Sequence, residues 1–315
     1  MEDNTMNSIN SNFDLPNQPE YFKNFWDYAR GREDSDAFLE AGKKPSGSYV
    51  LPTSSATKYD EALKRESLFR TIGTYVYSHK GPSKLLGKHT TDAAAWVPDG
   101  EAIPIYDGIN DFTEFAMEDH KLAAIMRMDA SFLQDNPHVF GDYFIKRMAR
   151  CFGSAESDGF INGTGVDMPT GILSENGAAV GVTASGITFD DVIRLYFSVD
   201  KQFRQRGAWL MNDDTALALR LLKDKDGNPI WNHANDMILG KPVYIDNHMP
   251  SAGAGAKPIA FGDFSFYWIV EREPLTVRVL KEKFFEAGQI GYLAYEFLDG
   301  KLIQPDAVKV LQITV

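Results

Sequence analysis

The sequence predicts an α+β protein, and three features carry that reading. They are one long amphipathic helical stretch, a long β-prone segment interrupted by Gly and Pro, and a second half in which helix and strand patterns alternate.

Residues 1 to 19 are rich in Asn, Asp and Ser with few apolar anchors, which predicts a mobile terminus. From Glu20 to Arg30, the residues Tyr21, Phe22, Phe25, Trp26 and Ala29 fall at helical spacings. Residues 31 to 48, GREDSDAFLEAGKKPSGS, mix charges with Gly, Ser and Pro and predict a linker open to proteolysis. Order is expected to resume at Tyr49-Val50-Leu51-Pro52, ahead of a helix over about Lys58 to Arg70.

The segment from Gly73 to Met128 changes character. Gly81, Pro82, Gly87, Pro98, Gly100, Pro104 and Gly108 break it too often for a helix, and it is too long for a plain loop, which leaves an extended hairpin or β-arm. A strand of about 15 residues reaches roughly 50 Å, past the edge of a compact domain, so such an arm is expected to touch another subunit.

The long helix follows. Asp135 or Asn136 can cap it, Pro137 suits its first turn, and Phe140, Phe144, Met148, Cys151, Phe152, Ala155 and Gly159 recur at spacings of three and four. Pro137 to Phe160 would measure about 36 Å before Asn162-Gly163-Thr164-Gly165 ends the helix. On this stripe Cys151 is expected to be a buried structural thiol.

In the second half, Thr188 and Asp191 form a capping-box pattern ahead of Val192, Ile193, Tyr196, Phe197, Val199 and Phe203. Ala208 to Met211 reads as a buried strand. Asn212 caps the next helix, with Asp213 and Asp214 in its first turn and Leu217, Leu221 and Leu222 expected on its apolar face. Asp226-Gly227-Asn228-Pro229 reads as a turn. Lys241 to Ile245, Phe266 to Val270, Val277 to Leu280, Tyr292 to Phe297 and Val308 to Ile313 are strand candidates.

Composition narrows the function classes. The 315 residues are 43% hydrophobic and 12% aromatic, enough for a substantial core. With 44 acids against 32 bases the net charge is −12, so no overall cationic field draws the chain onto phosphate. Cys151 is the only cysteine, which excludes an intrachain disulfide and a cysteine-rich zinc cluster. The first 20 residues lack the basic and apolar regions of a signal peptide, and no apolar stretch approaches roughly 18 residues, so neither secretion nor a membrane is expected.

Candidate chemistry is sparse. The six histidines, His79, His89, His120, His138, His233 and His248, show no metalloprotease spacing. Asp246-Asn247-His248 is the nearest approach to a site, and a metal-dependent hydrolase around Asp246 and His248 is the alternative of a different class. Asp224-Lys225-Asp226-Gly227 lacks the ligand alternation of a calcium loop. Gly163-Thr164-Gly165 follows a helix where a dinucleotide fingerprint would open one. No catalytic, metal or cofactor site is assigned.

Several segments, in order, resemble one family. Tyr49-Val50-Leu51-Pro52, Trp96-Val97-Pro98, Phe160-Ile161-Asn162-Gly163-Thr164-Gly165, Pro169-Thr170-Gly171-Ile172, Trp209-Leu210-Met211-Asn212, Leu222-Lys223-Asp224, Leu239-Gly240-Lys241-Pro242-Val243 and Phe261-Gly262-Asp263-Phe264 are similar to tailed-bacteriophage major capsid proteins with the Hong Kong 97-like fold. The resemblance runs from about Tyr49 to Val315.

It implies an N-terminal arm or short propeptide at residues 1 to 48, partly disordered, and an N-arm and helix at 49 to 72. An E-loop with a peripheral-domain strand follows at 73 to 128, then the spine helix and its loop at 129 to 186. The axial domain lies at 187 to 270, and strands returning to the peripheral domain at 271 to 315.

The implied function is structural and non-enzymatic. Pentamers and hexamers would form an icosahedral virion head, assembled in the host bacterial cytoplasm, around double-stranded DNA contacted non-specifically. A scaffolding protein, a maturation protease and a portal are the implied partners, no membrane is involved, and an encapsulin-like compartment is the nearest alternative. The E-loop residues Lys80, Lys84, Lys88 and Trp96 are the implied intersubunit contacts. The founding member joins an E-loop lysine to an asparagine of a neighbour; residues 284 to 297 contain no asparagine here, so no such crosslink is expected unless Asn232, Asn235 or Asn247 accepts it. Proteolysis, if it occurs, is expected to remove roughly the first 30 to 48 residues.

Overall fold

The structure, a computed structural model, describes residues 15–32, 39, 42–77, 84–86, 96–99, 102, 114–116, 118–135, 139–223, 227, 231 and 237–314. The chain divides into two compact units. The first comprises Met1–Thr71, His120–Ser157 and Glu271–Leu298; the second comprises Ile72–Asp119, Asp158–Val270 and Asp299–Val315.

In the first unit, helix α1 (Pro19–Ala29) begins with Pro19, whose fixed φ suits a first turn, and Glu20, which complements the dipole. Its apolar spacing turns Tyr21, Phe25, Trp26 and Ala29 inward. The Tyr21 hydroxyl donates to the Val50 carbonyl at 2.8 Å, and the Tyr292 hydroxyl donates to the Ala29 carbonyl at 2.7 Å. Trp26 meets Phe140 and Phe144 edge-on at 5.6 and 6.0 Å. This N-terminal helix is therefore an integral part of the core.

After strand β1 (Tyr49–Val50), the single expected helix is two: α2 (Thr53–Glu66) and α3 (Phe69–Ile72). Ser67 separates them because its backbone is extended, with φ −105° and ψ 106°. A short helix α4 (Ala130–Asp135) precedes the long helix α5 (Phe140–Asn162); residues 136–138, including the expected Pro137, lie outside the described residues.

Helix α5 supplies Phe140, Phe144, Ile145, Met148, Ala149 and Phe152 to the core, but Cys151 and Ala155 are exposed, contrary to the expected stripe. The reason is helical phase. A row of residues four apart turns about 40° per step, and the buried face follows the row Phe144, Met148, Phe152, Glu156, leaving Cys151 and Ala155 on the solvent side.

The sheet of this unit carries the order β1-β11-β12-β5, where β5 is His120–Asp129, β11 is Tyr267–Leu280 and β12 is Gln289–Leu302. Strand β2 (Thr74–Tyr77) also pairs with β11. Strands β5 and β12 run antiparallel from Gln289 opposite Asp129 to Leu298 opposite His120. The two strands expected at 266–270 and 277–280 are one continuous β11, because the intervening Glu271-Arg272-Glu273-Pro274 stays extended despite its polarity.

The second unit contains a six-stranded sheet of order β6-β13-β10-β7-β9-β8. Its strands are β6 (Ala179–Ala184), β7 (Ala208–Met211), β8 (Met237–Ile238), β9 (Lys241–Ile245), β10 (Ile259–Gly262) and β13 (Val308–Ile313). The pairs β6–β13 and β7–β9 are parallel, and the remaining neighbours are antiparallel. At the end of β10 only glycine fits, since a Cβ on Gly262 would lie 2.1 Å from the Ala307 carbonyl oxygen.

Among the described residues, three helices lie wholly within this unit: α6 (Phe189–Ser198), α7 (Lys201–Arg204) and α8 (Asp213–Leu221). The expected capping box is formed, with the Asp191 amide donating to the Thr188 hydroxyl and the Thr188 amide to the Asp191 carboxylate, both at 3.3 Å. The Asn212 side chain accepts from the Thr215 amide at 2.9 Å. Trp209, Met211, Phe261, Val192, Leu195 and Leu311 are among the residues that build the core.

One expectation fails on α8. Thr215, Ala216 and Leu219 face the core, whereas Leu217 and Leu221 are exposed. The sequence Leu217-Ala218-Leu219-Arg220-Leu221-Leu222 puts leucines on more than one face, and the fold buries the face with the small Thr215 and Ala216. Within the expected β-arm, β3 (Lys84–Leu86) and β4 (Glu114–Ala116) form an antiparallel two-stranded ribbon. Of the expected turn at 226–229, only Gly227 is described, with φ +84°.

Candidate functional site

Of the four expected intersubunit residues, two are described. Lys84 lies on the ribbon strand β3, its backbone opposite Ala116. Trp96 is fully exposed. Lys80 and Lys88 lie outside the described residues.

Asp246 and His248 sit in the turn after β9. The Asp246 carboxylate accepts the His248 amide at 3.0 Å and contacts the ring Nδ1 at 2.7 Å, a local turn arrangement that occupies both groups with each other. Among the described residues, no three His, Cys, Asp or Glu side chains converge as a metal site requires, and no helix is long and apolar enough to cross a membrane.

The second unit shows large apolar side chains to solvent. Leu217 and Leu221, four residues apart and so on one face of α8, are 60% and 70% exposed, and Phe197 at the end of α6 is 66% exposed. The Arg204 guanidinium lies 4.9 Å from the Phe197 ring centre. Each such apolar side chain costs free energy while it faces water.

In the first unit the notable chemistry is buried. Continuing the α5 row Phe144, Met148, Phe152 by four residues arrives at Glu156, a carboxylate on an otherwise apolar stripe. Its side chain is fully buried, and Arg70 of α3, 5% exposed, grips it: Nε lies 3.1 and 2.9 Å from the two oxygens, and Nη2 lies 2.5 Å from Oε1. The same guanidinium reaches Glu271 of β11 through Nη1 at 3.2 Å. Glu296 of β12, 1% exposed, completes the group and accepts from the Tyr59 hydroxyl of α2 at 3.3 Å.

The electrostatics follow from one cation among three carboxyl groups. Burial works against the Arg70 charge, but Glu156, Glu296 and Glu271 outweigh it and hold its pKa well above the ordinary value. Burial pushes the Glu296 carboxyl well above the usual carboxylate range, and the Glu156 charge adds to this while Arg70 opposes it. Burial, with Glu296 beside it, also raises the Tyr59 phenol.

Sequence reasoning missed this group although two signals were present. Glu156 sits in the apolar i, i+4 row, and Glu296 shares the alternation that buries Tyr292, Ala294 and Leu298 on β12. Arg70, on the short helix α3, gave no such signal.

Residues 47–313 match the model of the phage capsid family. The fold is similar to the capsid of a native GTA particle computed with C5 symmetry, with 28% identity and a TM-score of 0.67 over 79% of this chain and 90% of that one. The empty GTA particle's capsid gives 28% identity and a TM-score of 0.69 over the same shares. A chain of Microbacterium phage Oxtober96 shares the fold at 17% identity, with a TM-score of 0.57 over 79% of this chain and 90% of that one. No curated protein matches the sequence.

Proposed function

The chain belongs to the phage capsid family, and from that premise we propose that it is the major subunit of a tailed-phage head that assembles as pentamers and hexamers around double-stranded DNA. Its α+β structure is of the Hong Kong 97-like kind, and a structural capsid role fits it. The observation that carries the proposal is the outward face of α8 and the end of α6, where Leu217, Leu221 and Phe197 stay in water in the isolated subunit. Repeated contacts between copies cover such residues, and many modest interfaces close a stable shell.

In this reading the first unit is the peripheral domain and the six-stranded sheet of the second is the axial domain. Residues 271–298 fall in the first unit and residues 299–315 in the second, so β13 completes the axial sheet. The ribbon β3–β4 is the base of an E-loop that crosses a neighbour, with Lys84 and Trp96, and by the same resemblance Lys80 and Lys88, as its contacts. DNA is held without sequence preference, in keeping with the net charge of −12. A scaffolding protein, a maturation protease and a portal are the remaining partners, and assembly takes place in the host bacterial cytoplasm.

The core position of α1 bears on maturation. A cut between residues 30 and 48 that released the N-terminal piece would strip Tyr21, Phe25 and Trp26 from the first unit's core, so α1 is expected to remain with the shell.

The assembly surface is tested by a double variant, Leu217→Glu with Leu221→Glu. Both positions face solvent, so the subunit should fold with wild-type stability to within about 0.5 kcal/mol. Sedimentation should show the loss of shells and capsomers. Normal shells from the variant would remove α8 from the interface.

A further inference from the structure

We propose that the first unit contains a proton-dependent joint: Glu296 is held as a neutral carboxylic acid beside Arg70, Glu156 and Glu271, and release of its proton loosens α3 and α5 from strands β11 and β12.

The geometry supports this through a count of partners. The Arg70 guanidinium spends three contacts on Glu156 and one on Glu271. Glu296 instead accepts its hydrogen bond from the neutral Tyr59 hydroxyl. Its Oε1 is buried with no donor to accept from. An ionised Glu296 would therefore be a desolvated charge among like charges, which a protein interior avoids by neutralising the group. As an acid it becomes a donor, with Glu156 in hydrogen-bonding reach.

Helix α2 presents Tyr59, α3 presents Arg70, α5 presents Glu156 and β11 presents Glu271. On β5 the residue opposite Glu296 is the apolar Leu122. The only cation in the group is already engaged by two carboxylates, so the proton on Glu296 is what brings the cluster close to balance.

The sign of the pH dependence follows from linkage. The folded chain holds a proton that the unfolded chain releases near the ordinary glutamate value of 4.5. Stability from this group is thus complete below that value and falls as pH rises, until Glu296 ionises in the folded state. The inference concerns the folded subunit and holds whether or not the chain builds shells.

The test compares the full-length chain with Glu296→Gln by urea unfolding from about pH 5 to about pH 8. Glutamine keeps the acceptor for Tyr59 and a donor for Glu156 but has no proton to lose. The ratio of folding constants, variant over wild type, should rise about tenfold per pH unit within the window. Infrared spectra of the folded wild type should also show a protonated carboxyl stretch at neutral pH, a readout that does not require the variant to fold. Parallel stability curves for the two chains, or no acid carbonyl band in the wild type at neutral pH, would overturn the proposal.

Discussion

Arg70→Met should cost the folded chain about 3–5 kcal/mol, because it removes the one cation from a dry group of three carboxyls while leaving the acids in place. Methionine fills much of the same volume, so the loss reflects charge and hydrogen bonding more than a cavity. Lysine is no substitute, since a point charge cannot reproduce the guanidinium's several contacts to Glu156 and its reach to Glu271. Chemical denaturation of the purified variant measures the effect. A free-energy change under about 1 kcal/mol would mean that the carboxyls neutralise one another without the arginine.

Phe144→Asp is expected to be at least as severe, above about 4 kcal/mol, and to prevent folding in a marginal background. Phe144 is 1% exposed, and its ring packs against Trp26, Phe140 and Tyr292 at 6.0, 5.9 and 5.5 Å. Aspartate removes that aromatic contact and buries a carboxylate within an apolar cluster. Circular dichroism melting is the measurement, and a wild-type midpoint would mean that the α5 row is not the core of the first unit.

The parts of the fold legible in the sequence are those where a local rule and tertiary packing agree. Thr188 with Asp191, Asn212 as a cap, and the uniformly apolar Ala208–Met211 each satisfy a backbone requirement that neighbouring structure does not alter. Where two faces compete, the local rule is silent. Leucines on several faces of α8 leave the buried side undecided until Thr215 and Ala216 let the helix approach the sheet, and the drift of an i, i+4 row on α5 decides the fate of Cys151.

The candidate site was legible only in part. Trp96 and Lys84 came from resemblance, and the exposure of Leu217 and Leu221 reverses the sequence expectation. The Arg70 group joins positions up to 226 residues apart in sequence along α3, α5, β11 and β12, and no spacing rule reaches that far. What the sequence did hold was the exception to its own pattern: a glutamate where the period of α5 calls for an apolar residue. A charge in an apolar row is either an error of phase or a member of a buried group. Here it is the second, and it marks where the first unit stores its electrostatic constraint.

Electron microscopy of the purified full-length chain, with and without a co-expressed scaffold, tests the central claim most directly. The account predicts closed round shells, on the order of tens of nanometres across, built from five- and six-fold capsomers. A chain that stays monomeric in every condition, scaffold included, would contradict it.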